Sequence, residues 1–282
     1  MTQSLHIIKL IRKMTLIAAW VGVDNKKYGR KISSIYFAAD SRFSWRYSES
    51  SSKYDEGMKV FCSLQHPYIF AYCGDVLFPL HTLERIIYKI DCGLFFELTE
   101  DNFMNKLSSV RAEIESSLIN YPNPKPSFSI LFASRESCYD FHLGEIKSVE
   151  GTISCKEIIL PNKSQIVYIG GSGKSDFENV ELELMKERNP NEGTSRFCFH
   201  CVAKTIKEHE SPTVGGVPQL VGLYREGTGK FFGIEYEGER YILGKRINFM
   251  PEYFHIEWRN SNFERINPKT LKLLEGAQAQ PF

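Results

Sequence analysis

The chain of 282 residues is long enough for one large domain or two small ones with a substantial core. Its 42% hydrophobic and 24% charged residues match an ordinary soluble globular protein. A formal net charge of +1 excludes strong electrostatic attraction to nucleic acid or an anionic membrane, and no run reaches the ~18 to 20 apolar residues of a membrane span.

Seven cysteines, an odd number, are scattered, several inside apolar runs (Phe61-Cys62, Tyr72-Cys73, Phe197-Cys198). That pattern reads as buried free thiols in a reducing cytosol, not a disulfide frame, so the expected compartment is the cytoplasm. Residues 5–13 are too short and too interrupted by Lys9, Arg12 and Lys13 for a signal peptide's apolar region. Residues 1–14 read instead as a pro-segment or an unused upstream start.

The runs Met14-Thr15-Leu16-Ile17-Ala18-Ala19-Trp20 and Ile35-Tyr36-Phe37-Ala38-Ala39-Asp40-Ser41-Arg42 predict two strands of a hairpin. Polar residues 24–31, centred on Gly29, predict a turn longer than the two-residue minimum. Residues 43–53, rich in serine, predict a loop. Met58-Lys59-Val60-Phe61 and Tyr68-Ile69-Phe70-Ala71-Tyr72 predict two more strands. After Gly74-Asp75, the spacing of Leu77, Leu80, Leu83, Ile86, Ile87 and Ile90 predicts a helix that closes at Cys92-Gly93. A second helix is expected from near Thr99, with Glu100 and Asp101 in a first turn that suits negative charge. Its apolar face is Phe103, Leu107, Val110, Ile114 and Leu118.

Pro122, Pro124 and Pro126 break the chain, and strands are expected at 127–133, 139–143, 158–160 and 165–169. The turn Gly170-Gly171-Ser172-Gly173 leads to a helix through Phe177, Val180, Leu184 and Met185, and a fourth helix covers 195–209. Strands at 219–224, 230–236 and 241–243 follow. From Asn248 the periodicity is weak, and the end of the chain reads as a frayed tail. Helices that come in consecutive pairs disfavour a doubly wound parallel fold. They favour two antiparallel sheets with helix pairs outside.

Three places could carry chemistry. Gly170-Gly171-Ser172-Gly173-Lys174-Ser175 has the setting of a phosphate-binding loop, but Tyr168 stands where that pattern needs a glycine, and no aspartate follows Asp176. Cys198-Phe199-His200-Cys201 resembles half of a metal site with no second pair, and reads as core thiols. No cofactor or metal is expected. Thr15 is the third. A threonine hydroxyl needs a base, and the threonine's own free α-amino group, with a pKa near ~8, is one solution. A nearby lysine ammonium lowers that pKa, and a carboxylate must hold the lysine charged. Lys59 and Asp40 are the candidates.

Taken together, these residues resemble the proteasome β-subunit type of N-terminal nucleophile hydrolase, including its bacterial two-component and ancestral (Anbu-like) relatives. The motifs are Thr15-Leu16-Ile17-Ala18, Phe37-Ala38-Ala39-Asp40-Ser41-Arg42, Met58-Lys59-Val60, Tyr72-Cys73-Gly74-Asp75, Ile169-Gly170-Gly171-Ser172-Gly173 and Glu210-Ser211-Pro212-Thr213-Val214-Gly215-Gly216. They occur in the family's order over about residues 15–235. The resemblance implies an α+β fold, a four-layer αββα sandwich, over residues 15–245, with 246–282 as a C-terminal extension. It implies Thr15 as nucleophile, Asp40 and Lys59 as the pair that tunes it, and Gly74 as the oxyanion's N–H donor. Ser172 stands where a serine contacts the nucleophile's amino group. Glu210 and Thr213 stand where the family usually carries an aspartate and a serine. The implied activity is a threonine peptidase or amidase acting on a peptide or protein, in a homo-oligomeric ring or helical assembly, with a separate unfoldase conceivable. Two other readings stay open: a silent proteasome-like scaffold, and a nucleotide binder using residues 170–175.

Overall fold

The computed structural model describes residues 15–26, 29–47, 50–96, 102–187, 191–208, 212–248 and 256–277. Strands β1 (Ile17–Lys26) and β2 (Gly29–Ala39) pair from Ile17 opposite Ala39 to Lys26 opposite Gly29. The pairing therefore runs well into the stretch 24–31 that the sequence reads as a turn. Backbone pairing needs no apolar side chain at an exposed tip, so the polar residues 24–26 and 29–31 extend the ladder.

β3 (Phe43–Tyr47) and β4 (Ser50–Tyr54) pair only with each other, where serine content predicted a loop. Aromatic contacts offset the serines: the Phe43 ring lies 6.4 Å from Trp45 and 6.2 Å from Tyr54, its cross-strand partner. β5 (Val60–Cys62) and β6 (Tyr68–Gly74) lead into α1 (Leu77–Asp91) and α2 (Phe103–Ile119). Asn102 caps α2 by accepting the Asn105 N–H at 3.0 Å, which fixes the start later than expected. Thr99, Glu100 and Asp101 lie outside the described residues.

β7 (Phe128–Ser137), β8 (Asp140–Val149), β9 (Thr152–Glu157) and β10 (Gln165–Gly170) follow. The strand expected at 158–160 forms earlier, as β9. Glu150 and Gly151, both at positive φ, make a two-residue hairpin turn that sets Val149 opposite Thr152. Then come α3 (Lys174–Lys186), α4 (Ser195–Glu208) and β11 (Gln219–Tyr224). Residues 230–236 split into β12 (Lys230–Phe231) and β13 (Gly233–Tyr236), which join different sheets. β14 (Glu239–Ile242), β15 (Lys245–Arg246) and β16 (Trp258–Arg259) complete the order.

Two five-stranded sheets run β10-β1-β2-β11-β12 and β5-β6-β7-β8-β9, and a smaller sheet runs β15-β14-β13-β16. Alternate residues of β1 enter different cores, as the two-residue period of a strand requires. Ile17, Ala19 and Val21 join Phe37, Ile69, Ala71, Leu131 and Leu143. Ala18 and Trp20 join Phe177, Val180, Phe199 and Val202 of α3 and α4. A third cluster packs Phe70, Tyr72 and Ile130 with α1 and α2 through Leu83, Ile86, Leu107 and Val110.

The weakly periodic C-terminal stretch is part of this core. Trp258, Phe263 and Ile266 are buried, and Phe263 lies 5.3 Å from the Tyr36 ring and 5.4 Å from Phe199. Gly233 lets Trp258 approach: a Cβ there would stand 2.3 Å from the indole. Among the described residues, no helix is long and apolar enough to cross a membrane.

Candidate active site

Thr15 stands just before β1 and is 0% exposed. The glycine turn after β10 grips its backbone: the Thr15 N–H donates to Ser172 Oγ at 3.3 Å, and the Gly173 N–H donates to the Thr15 carbonyl at 3.2 Å. Gly171 adopts φ +92, and a Cβ there would lie 1.8 Å from the Thr15 carbonyl oxygen, so only glycine fits. Ser172 Oγ donates to Thr213 Oγ1 at 2.9 Å. The turn that invited a nucleotide reading thus directs its serine and one of its N–H groups to the chain's own Thr15.

On the other side, the end of β2 carries Asp40. Its Oδ1 accepts from the Leu16 N–H at 2.8 Å and from Lys59 Nζ at 2.7 Å. Its Oδ2 accepts from the N–H groups of Arg42 and Gly215, each at 3.1 Å. Both side chains of the Asp40–Lys59 pair are 0% exposed. Lys59 Nζ also donates to the Arg42 carbonyl at 2.6 Å. Burial pulls the Lys59 ammonium below its ordinary pKa, and the Asp40 charge opposes that pull. Because Asp40 bonds the Leu16 N–H, the pair is anchored one residue from Thr15.

The neighbouring residues lock this frame. Arg42 grips Asp55 through two bonds, Nε at 2.7 Å and Nη2 at 2.8 Å, and donates to the Val214 carbonyl at 3.2 Å. Ser41 Oγ donates to the Asp55 carbonyl at 2.6 Å and accepts the Val217 N–H at 2.8 Å. Gln219, fully buried at the start of β11, bonds the backbone of Asp40, Gly57 and Lys59. The sequence reading missed Gln219 and Asp55: a glutamine opening an apolar run looks like a strand end until its burial is known.

The structure brings together Thr15, Asp40, Lys59, Ser172 and Thr213. Gly74 ends β6 at φ +103, where a Cβ would lie 2.5 Å from the Ser127 carbonyl oxygen. Its link to the group runs through Cys73, whose Sγ lies 3.0 Å from where a Cβ on Gly170 would stand. Burial pushes the Cys73 thiol up to about 11. Glu210 lies outside the described residues. Cys198 and Cys201 are buried in the cluster beneath α3 and α4, as core thiols. Among the described residues, no group of three or more His, Cys, Asp or Glu could hold a metal.

No protein-family model matches the chain, and no curated protein matches its sequence. Among solved structures, it is similar to Anbu (ancestral beta-subunit) from Yersinia bercovieri, with a TM-score of 0.52 and 12% identity over 76% of this chain and 86% of that one. The fold is proteasome-like. At that identity the likeness is one of backbone arrangement.

Proposed function

We propose that Thr15 is the nucleophile of an amide hydrolase acting on peptides or proteins, with its own α-amino group as base. One observation carries this reading: a fully buried Asp40–Lys59 pair bonds the Leu16 N–H next to Thr15, while Ser172, itself bonded to Thr213, accepts the Thr15 N–H from the other side. In the chain that includes residues 1–14, the Thr15 nitrogen is an amide with no basicity. Loss of residues 1–14 frees it.

The freed amine takes the Thr15 hydroxyl proton as Oγ1 attacks the substrate carbonyl carbon. Lys59, kept cationic by Asp40, disfavours protonation of the amine and keeps it basic near neutral pH. The Gly74 N–H holds the oxyanion of the tetrahedral intermediate. The amine returns the proton to the leaving nitrogen as the C–N bond breaks, which leaves an ester on Thr15. Water then attacks the ester with the amine again as base, and Oγ1 leaves with the proton. Ser172 holds the amine and Thr213 supports Ser172, and no cofactor enters.

The finer architecture belongs to the same proposal: a four-layer αββα sandwich in the cytoplasm, assembled as a homo-oligomeric ring or helix and served by a separate unfoldase. A second reading, a silent scaffold, draws on the complete burial of Thr15. An electrophilic threonine-directed probe separates the two. Labelling of Thr15 in the wild type and none in Thr15→Ala is expected. Retention of residues 1–14 on all protein from native cells, with no labelling, would establish the scaffold instead.

A further inference from the structure

Two of the backbone groups that define the candidate site belong to different sheets. Asp40 follows β2 of the first five-stranded sheet, and Lys59 precedes β5 of the second. The side chain of Gln219 joins them. Its Nε2 donates to the Asp40 carbonyl at 3.1 Å and to the Gly57 carbonyl at 2.7 Å, and its Oε1 accepts the Lys59 N–H at 3.2 Å. Gln219 is 0% exposed, and its Cα pairs with Ala39, beside Asp40.

A carboxamide is the group that suits this place. It offers two N–H donors and one acceptor in a plane, against two backbone acceptors and one backbone donor. The network also dictates which end is oxygen, because only the Lys59 N–H can donate to it. Glutamate would face two carbonyls with an oxygen. Methionine, of similar length and volume, would leave three buried backbone groups without their side-chain partner, each bearing its desolvation cost.

We infer that Gln219 is a positioning residue for the Asp40–Lys59 pair, holding the two sheets in the register that sets the Lys59 ammonium against the Asp40 carboxylate, which bonds the Leu16 N–H next to Thr15. Its effect on chemistry rests on the reading of Thr15 as nucleophile. Its effect on the pair does not. Misplacement by about 1 Å at such a site can cost on the order of a hundredfold in rate. An ammonium drawn away from the amine also lets the amine's pKa rise toward its free value.

The test compares the wild type after loss of residues 1–14 with Gln219→Met and Gln219→Glu in the same form, below the melting temperature of each. It reads the Asp40 carboxyl-carbon resonance and the pH dependence of probe labelling at Thr15. Both variants should displace the Asp40 resonance, slow labelling at least about tenfold and raise its pH midpoint. A packing role alone predicts a silent Gln219→Met. Unchanged resonance and labelling in that folded variant would overturn the inference while leaving the nucleophile reading intact. Absence of labelling in the wild type, with the Asp40 resonance still displaced in the variants, would sink the nucleophile reading and keep the positioning role. Should neither variant fold, amide exchange in the wild type decides: Lys59 N–H is expected to be as protected as β6, and fast exchange there overturns the assignment.

Discussion

Strand β1 runs between two regions of opposite construction. At its start, Thr15, Asp40 and Lys59 are sealed from water, and the charges are held by named partners at 2.6 to 3.1 Å. At its far end, Gly22, Ser33, Ser34, Ser164, Thr194 and Arg225 line an open cleft of about 880 Å³. The far end is polar too, but its ion pair is loose: Arg225 sits 3.6 Å from Asp24, with both side chains over a third exposed. In water that pair interacts weakly, whereas a pair out of water interacts strongly. The cleft offers volume; the closed end offers preorganised charge. A buried ion pair is a poor source of stability, so its presence beside Thr15 calls for a reason in chemistry.

Breaking one ion pair at each end tests that contrast most severely. Lys59→Met leaves the Asp40 carboxylate buried without its cation and is expected to cost about 3–5 kcal/mol. Arg225→Met removes an exposed partner and is expected to cost about 0–1 kcal/mol. Urea denaturation of both variants gives the difference directly. Equal costs would mean that the closed end is wetter than the structure indicates.

A pair of glycines sharpens the same comparison. Gly171 and Gly193 both sit at positive φ, +92 and +74, so alanine is strained at either. A Cβ on Gly171 meets the Thr15 carbonyl oxygen at 1.8 Å, and one on Gly193 meets nothing within 4 Å. Gly171→Ala is expected to cost about 1–3 kcal/mol more than Gly193→Ala in the same denaturation assay, from the clash alone. Probe labelling should fall only in the first.

These cases also show what the chain made legible. Thr15, Asp40 and Lys59 could be picked out because a threonine nucleophile needs a lysine and a carboxylate and all three sit close to one hairpin, whereas Ser172 followed only from the resemblance to the proteasome β-subunit type. The β3–β4 hairpin could not, since serines carry no strand signal and the pairing of Phe43 with Tyr54 is a cross-strand event. Trp258 and Phe263 read as an extension, because two-residue strands are too short to show a period. Gln219 was hidden for a different reason. Its role depends on three backbone groups, and backbone leaves no trace in a residue pattern.

Titration gives a smaller, signed test at the closed end. Burial raises the Cys73 thiol from 9.0 to about 11, so the folded state holds that proton more tightly than the unfolded chain. Its contribution is fully present below pH 9 and is lost as the pH rises toward 11, amounting to about 1.4 kcal/mol at pH 10. Lys59 has the opposite slope: its lowered pKa makes proton loss easier in the folded state, which favours folding as the pH rises. The difference between wild type and Cys73→Ala isolates the thiol. The variant's stability should therefore fall less steeply between pH 9 and 11. Parallel curves would place Cys73 in contact with water.

The smallest expected effect lies at the cleft. Tyr139 lines it, half-exposed, with Lys31 Nζ 5.3 Å and the Arg225 guanidinium 5.7 Å from its ring. These cations sit over an aromatic face in water, where such contacts are worth about 0.5–1 kcal/mol at most. Tyr139→Ala should cost no more than about 1 kcal/mol, since it empties no core and strands no buried charge. Labelling at Thr15 should be unchanged, because the tie between the two ends is β1 itself, a paired strand whose residues Ile17, Ala18, Ala19, Trp20 and Val21 are fully buried. A change in labelling would show that a residue at the open end reaches the closed one through that strand. The two ends would then be one device, and the cleft would become the first place to look for what regulates Thr15.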